Sequence, residues 1–164
     1  MNDTEPLLEL VRAFRQAELR IVLIGGLAMR AHGSNHLTSD VDFAYAVESE
    51  NVERIAAFLP TIHARVLGRP ANDRFQILPT TLQQVRFLNL STDLGQVDIL
   101  REIPGIESFE RLWERADEMD LGGFSVRVAS LDDLIAMKQA ANRPKDRNHL
   151  FELLALKKLI AEEN

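Results

Sequence analysis

Thr38-Ser39-Asp40-Val41-Asp42-Phe43-Ala44-Tyr45 carries the strongest structural signal in the chain. From Asp40 to Val47 the residues alternate, with Val41, Phe43 and Tyr45 on one face and Asp40, Asp42 and Ala44 on the other. That period of two predicts a strand with one face in a core. Asp40 and Asp42, at i and i+2, therefore point the same way. Two carboxylates so placed repel each other unless a cation neutralises them. Mg²⁺ prefers hard oxygen ligands and is usually held by one or two carboxylates plus phosphate.

Upstream, Arg20 to Ile24 is a short apolar, β-branched run of the kind found in buried strands. Gly25-Gly26 ends it, Leu27 to Ala31 reads as a helix start, and Gly33 to Ser39 is polar loop. Backbone N–H groups at a helix start bind phosphate, and glycine lets a ligand approach closely. The stretch has neither GxxxxGK[ST] nor the spacing of a dinucleotide fingerprint. Downstream, Val85 to Leu90 and Gln96 to Leu100 read as strands joined through Ser91 to Gly95. Asp98 interrupts the apolar run of the second. If that strand pairs beside the first, Asp40, Asp42 and Asp98 meet on one face. Three carboxylates there would hold two metal ions about 4 Å apart, the arrangement of in-line phosphoryl transfer. Taken singly, Gly25-Gly26 is a turn, Asp40-x-Asp42 a solvated strand start and Asp98 a polar residue on a half-exposed strand. Their joint occurrence in this order favours the site.

The remaining segments frame this centre. Pro6 to Ala17 reads as a helix with Leu7, Leu10, Val11 and Phe14 inward, and Asn51 to Leu59 as another. Residues 60–80 are ambiguous, with a turn at Ala71-Asn72-Asp73 and a short strand at Phe75 to Leu78. Phe109 to Asp117 reads as a helix with Trp113 in the core, and Phe124 to Val128 as a strand. Ser130 caps a helix through Ala141, Pro144 breaks it, and a last helix runs from Asp146 to Ala161. The expected fold is α+β: a mixed sheet flanked by helices, with a helical C-terminus. One domain over 1–164 is expected, an αβ core to about 128 and C-terminal helices from about 129.

Composition narrows the classes. The chain has 164 residues, 46% of them apolar, 27% charged and no cysteine, so thiol chemistry, thiolate metal sites and disulfides are excluded. No apolar run approaches the roughly 20 residues that span a bilayer. Met1 to Leu10 lacks a signal-peptide pattern, so a cytoplasmic location is expected. The net charge of −6 argues against a broad nucleic-acid-binding face. It leaves room for a local cationic cleft. Between 138 and 147 the cations Lys138, Arg143, Lys145 and Arg147 face one acid, Asp146, a local +3. Lys138 and Asp146 are eight residues apart across Pro144, so no i,i+4 pairing joins them. His32, His63 and His149 show no metal-ligand spacing and read as surface or helix-end residues.

Gly25-Gly26, Ala28, Gly33, Thr38-x-Asp40-x-Asp42 and Asp98 together resemble the nucleotidyltransferase (polymerase β-like) superfamily. The likeness is to its small prokaryotic, toxin-type members related to abortive-infection proteins. Val128 to Lys138 and Arg143-Pro144-Lys145-Asp146 are similar to that family's C-terminal helical motif, so the match spans roughly residues 20–47 and 85–155. The resemblance implies an Mg²⁺-dependent enzyme, with two ions and Mn²⁺ as a substitute. It would move a nucleoside monophosphate from an NTP to an acceptor hydroxyl on tRNA, protein or a small molecule. It also implies a toxin with a partner antitoxin. Asp40, Asp42 and Asp98 would be the metal ligands and catalytic residues. Gly25, Gly26, Thr38, Lys138, Arg143 and Lys145 would bind the nucleotide, with Asp146 orienting the basic groups. Where the family commonly has a basic residue two positions before the threonine, this chain has His36, and Arg30 is the nearest substitute. The alternative is an inactive domain of the same fold that binds a nucleotide or a partner.

Overall fold

The computed structural model describes residues 4–70 and 72–164. Ala71, in the expected turn at 71–73, and residues 1–3 of the amino-terminal segment lie outside them. Helix α1 (Glu5–Gln16) leads into β1 (Ile21–Ile24), α2 (Gly25–Ala31) and β2 (Asp40–Tyr45). Then come α3 (Ser49–Phe58), a 3₁₀ turn (Leu59–Ile62), β3 (Arg65–Val66), α4 (Pro79–Gln84), β4 (Phe87–Thr92) and β5 (Gly95–Leu100). The chain ends with α5 (Phe109–Arg115), β6 (Asp117–Asp120), β7 (Ser125–Val128), α6 (Leu131–Ala141) and α7 (Pro144–Glu163).

The strands form one mixed sheet in the order β3-β4-β5-β2-β1-β7-β6. β2 lies at its centre, antiparallel to β1 and parallel to β5. The expected α+β architecture with a mixed sheet and helical C-terminus is the one observed.

The alternation in β2 divides the molecule. Val41, Phe43 and Tyr45 face a core under α1, α3 and α4. Phe14 of α1 stacks on Phe43 with ring centroids 4.8 Å apart and meets Phe58 of α3 edge-on at 4.9 Å. The buried Tyr45 hydroxyl donates to the Leu82 carbonyl of α4 at 2.7 Å. Asp40 and Asp42 look to the other face.

One polar residue is built into this core. Asn51, buried on α3, accepts from the Arg20 N–H at 2.7 Å and donates to the carbonyls of Arg20 and Ala46 at 3.0 and 2.8 Å. It joins the start of β1 to the end of β2. Asn51→Ala leaves the Arg20 N–H and the Ala46 carbonyl without their partner, while the Arg20 carbonyl still accepts from the Ala46 N–H at 3.2 Å, and we expect a loss of roughly 2 kcal/mol in urea unfolding with an unchanged m-value.

Several local expectations are corrected. α2 begins at Gly25 itself, since Gly25 takes φ +73° and turns the chain into the helix within one residue of the strand. No strand forms at 75–78, where Phe75 and Leu78 are exposed; the sheet takes Arg65-Val66 instead. Helix α4 follows, opened by Pro79, with the Leu78 N–H donating to Thr81 Oγ1 at 3.2 Å. Asp117–Asp120 is an edge strand although three of its four residues are acids, because pairing with β7 supplies its hydrogen bonds. Trp113 is partly buried rather than in the core. The guanidinium groups of Arg127 and Arg20 lie 4.1 and 4.9 Å from its ring centroid, a cation–π pair at the rim. None of the described helices is long and apolar enough to cross a membrane.

Candidate active site

The register of the sheet brings the acids together. Asp42 of β2 lies beside Asp98 of β5, and Asp40 beside Gln96, so all three carboxylates rise from one face. One oxygen from each of Asp40, Asp42 and Asp98 lies within 4.8 Å of the others. Each is half-buried. Burial, then the negative charges of Asp40 and Asp98, push the Asp42 carboxyl up to about 8. Burial and Asp40 also raise Asp98. Three such groups ionise together only when a cation shares the site, and their hard oxygen atoms fit a divalent metal.

Both glycines are required by proximity. A Cβ on Gly25 would stand 2.2 Å from Asp42 Oδ2, and φ there is +73°. The Asp42 carboxylate is thus seated against the bare Cα at the turn between β1 and α2. A Cβ on Gly26 would stand 2.9 Å from Thr38 Oγ1 and 3.2 Å from His36 Cδ2. Thr38 spends its hydroxyl on the Asp40 carbonyl at 3.1 Å, which fixes the entry of β2. Arg30 donates to the His36 carbonyl at 3.1 Å. It braces the loop, and its guanidinium is committed there.

The cationic segment reaches this face through α6 and α7. Lys138 Nζ donates to the fully buried Asp146 at 3.2 Å, and Arg143 Nε donates to the same carboxylate at 2.6 Å. Helix packing across Pro144 makes the pairing that no single helix allows. Burial pushes the Asp146 carboxyl up, but the hydrogen bonds from Arg143 and Lys138 outweigh it and hold it well below the usual range. Its stabilising contribution is therefore present above the ordinary value of 3.8 and lost as pH falls below it. The Lys138 charge also draws Asp42 down, and that of Lys145 draws Asp98 down. Lys138 and Lys145 thus act on the aspartates, while Arg143 is occupied by Asp146. Asp146→Ala strands two cations, and we expect thermal melting to report a loss of about 3 kcal/mol.

His149 is a residue that sequence alone passes over. It meets His36 edge-on at 4.2 Å between ring centroids. Its position three residues after Asp146 on α7 was the available signal. His32 Nε2 is bonded to the Ala129 carbonyl at 2.8 Å, and exposed His63 pairs with Asp93. A cavity of about 580 Å³ under α3 and residues 65–79 includes none of the three aspartates.

Solved structures share this architecture. The lincosamide antibiotic adenylyltransferase LnuA, with lincomycin bound, aligns over 93% of this chain and 96% of its own, at 12% identity and TM-score 0.61. ANT(2")-Ia in complex with adenylyl-2"-tobramycin aligns over 98% and 92%, at 16% identity and TM-score 0.59. An antigenic nucleotidyltransferase-like protein from Paracoccidioides brasiliensis aligns over 96% and 77%, at 13% identity and TM-score 0.58. No curated protein matches the chain in sequence. The fold is that of the nucleotidyltransferases. The family described as "Nucleotidyl transferase AbiEii toxin, Type IV TA system" matches residues 8–152, and the chain belongs to that family of nucleotidyltransferases.

Proposed function

We propose that the chain transfers a nucleoside monophosphate from an NTP to an acceptor hydroxyl on the face formed by Asp40, Asp42 and Asp98, with Mg²⁺ as cofactor. The observation that carries this is the gathering of three carboxylates within 4.8 Å beside two lysines. Asp40, Asp42 and Asp98 would hold a divalent ion, or a pair of such ions, which would neutralise triphosphate charge and acidify the acceptor hydroxyl.

The chain's own residues do the rest. Gly25 makes room for the Asp42 carboxylate and Gly26 for Thr38 and His36, and the backbone N–H groups at the start of α2 would receive phosphate, with Thr38 holding the entry of β2. Lys138 and Lys145 balance phosphate charge, and Asp146 holds Lys138 and Arg143 in place. Asp98 Oδ accepts the proton of the acceptor hydroxyl. The acceptor oxygen then bonds to the α-phosphorus as the bond to the pyrophosphate oxygen breaks. Positioning and charge neutralisation supply most of the rate.

The acceptor is tRNA, a protein or a small molecule. The family's description supports pairing with an antitoxin, and use of an NTP fits work in the cytoplasm. The test supplies each α-labelled NTP with Mg²⁺ and separated RNA, protein and small-molecule fractions of a cell extract. Label should enter one fraction with wild type and none with Asp98→Asn. Nucleotide binding without label in any fraction would favour an inactive binding module.

A further inference from the structure

α7 presents Asp146, His149 and Glu152, at i, i+3 and i+6, to α6 and to the loop that enters β2. All three are engaged outside their own helix. Asp146 binds Lys138 of α6. Glu152 accepts from Ser34 Oγ, and that oxygen accepts from the His36 N–H at 3.0 Å. His149 packs edge-on against the His36 ring at 4.2 Å and 69°. His36 in turn lies against Gly26, its Cδ2 3.2 Å from where a Cβ would stand. His149 Nδ1 is buried without a hydrogen-bond partner among the described residues. An imidazole nitrogen left so is destabilising and asks for a reason.

The charged surroundings of the ring are Lys138 from α6, His36 from the loop, and Asp146 and Glu152 from α7. Burial first, then Lys138 and His36, hold the His149 imidazole below its ordinary value, against the two acids. An arriving polyanion reverses that balance. Lys138 reaches both sides, since its charge acts on Asp42 as well as on His149. Gly26, at the start of α2, borders His36, and Lys138 acts on both Asp42 and His149, so the two imidazoles adjoin the nucleotide face.

We propose that the paired His149 and His36 rings seat the terminal phosphates of the nucleoside triphosphate. The seat takes one proton from solvent as the tail docks, giving an imidazolium that donates to phosphate oxygen. This rests on the nucleotide-transfer reading of the aspartate face. It gives His149 a binding role and supplies positive charge, from α7, beside His36.

The test uses the full chain with ¹⁵N-labelled histidine, titrated with NTP or the matching NMP, each with Mg²⁺. The His149 imidazole resonances should move to the imidazolium position with NTP and stay neutral with NMP. In calorimetry, His149→Phe, which keeps the ring packing, should weaken NTP about ten-fold and leave NMP affinity unchanged. A His149 imidazole that stays neutral with NTP bound overturns the proposal, as does wild-type NTP affinity in His149→Phe. Should that variant not fold, the wild-type titration decides alone. If wild type binds no NTP at all, the transfer reading falls with it; if it binds NTP with the imidazole unmoved, only the phosphate seat falls.

Discussion

Asp42→Asn should cut nucleotidyl transfer by roughly a thousandfold and, at the same time, stabilise the metal-free protein at pH 8. Both effects arise from one cause. Burial and the charges of Asp40 and Asp98 raise the folded-state value of Asp42 from 3.8 to about 8. Folding therefore takes up a proton throughout that interval. Below 3.8 both states are protonated and there is no penalty. As pH rises toward 8 the metal-free fold loses stability, and above 8 the penalty is complete. Asparagine removes it, a gain on the order of 2–4 kcal/mol. Thermal melting in chelator at pH 5 and pH 8 measures it: wild type should fall between the two while Asp42→Asn falls less. Divalent metal should raise wild-type melting at pH 8 and leave the variant nearly unmoved. A variant less stable than wild type at pH 8 would mean that the three acids are not crowded as described.

Gly25→Ala should cost about a hundredfold in transfer with the fold retained. The new methyl would meet Asp42 Oδ2 at 2.2 Å, and the backbone at φ +73° disfavours any L side chain by about 1–2 kcal/mol. The carboxylate is the movable partner, so the damage falls on its position. A shift near 1 Å in a reacting geometry costs rate on this scale. Melting temperature and single-turnover transfer, measured together, separate the two effects. Transfer at the wild-type rate would show that Asp42 does not need its seat against Gly25.

Much of the centre was legible in the sequence because it lies on the period of two. Asp40-x-Asp42 in an alternating strand names its own face, and Asp98 in an apolar run marks a second strand of the same kind. Their direct pairing was only conditional, because register between strands whose partners are 56 residues apart in sequence is set by tertiary packing. The C-terminal cations were visible as a charge cluster. Their meeting point was not, since Arg143 meets Asp146 locally at the start of α7 but Lys138 reaches it only through the packing of α6 on α7. His149 was hidden for the same reason. Its partner, His36, lies on a loop that only the folded chain brings to α7. The miscalled pieces are short and local. Asp117–Asp120 has no apolar alternation to announce a strand, and residues 65–84 carry weak, conflicting signals.

The most direct measurement of the central claim is calorimetric titration of the four NTPs into wild type, Asp40→Asn and Asp98→Asn, each with Mg²⁺ and with chelator. At least one NTP should bind wild type with Mg²⁺, bind far more weakly in chelator, and lose the metal dependence in both variants. NTP binding that is indifferent to metal and to both aspartates, or no binding by wild type with Mg²⁺, would contradict a metal-dependent nucleotide site on Asp40, Asp42 and Asp98.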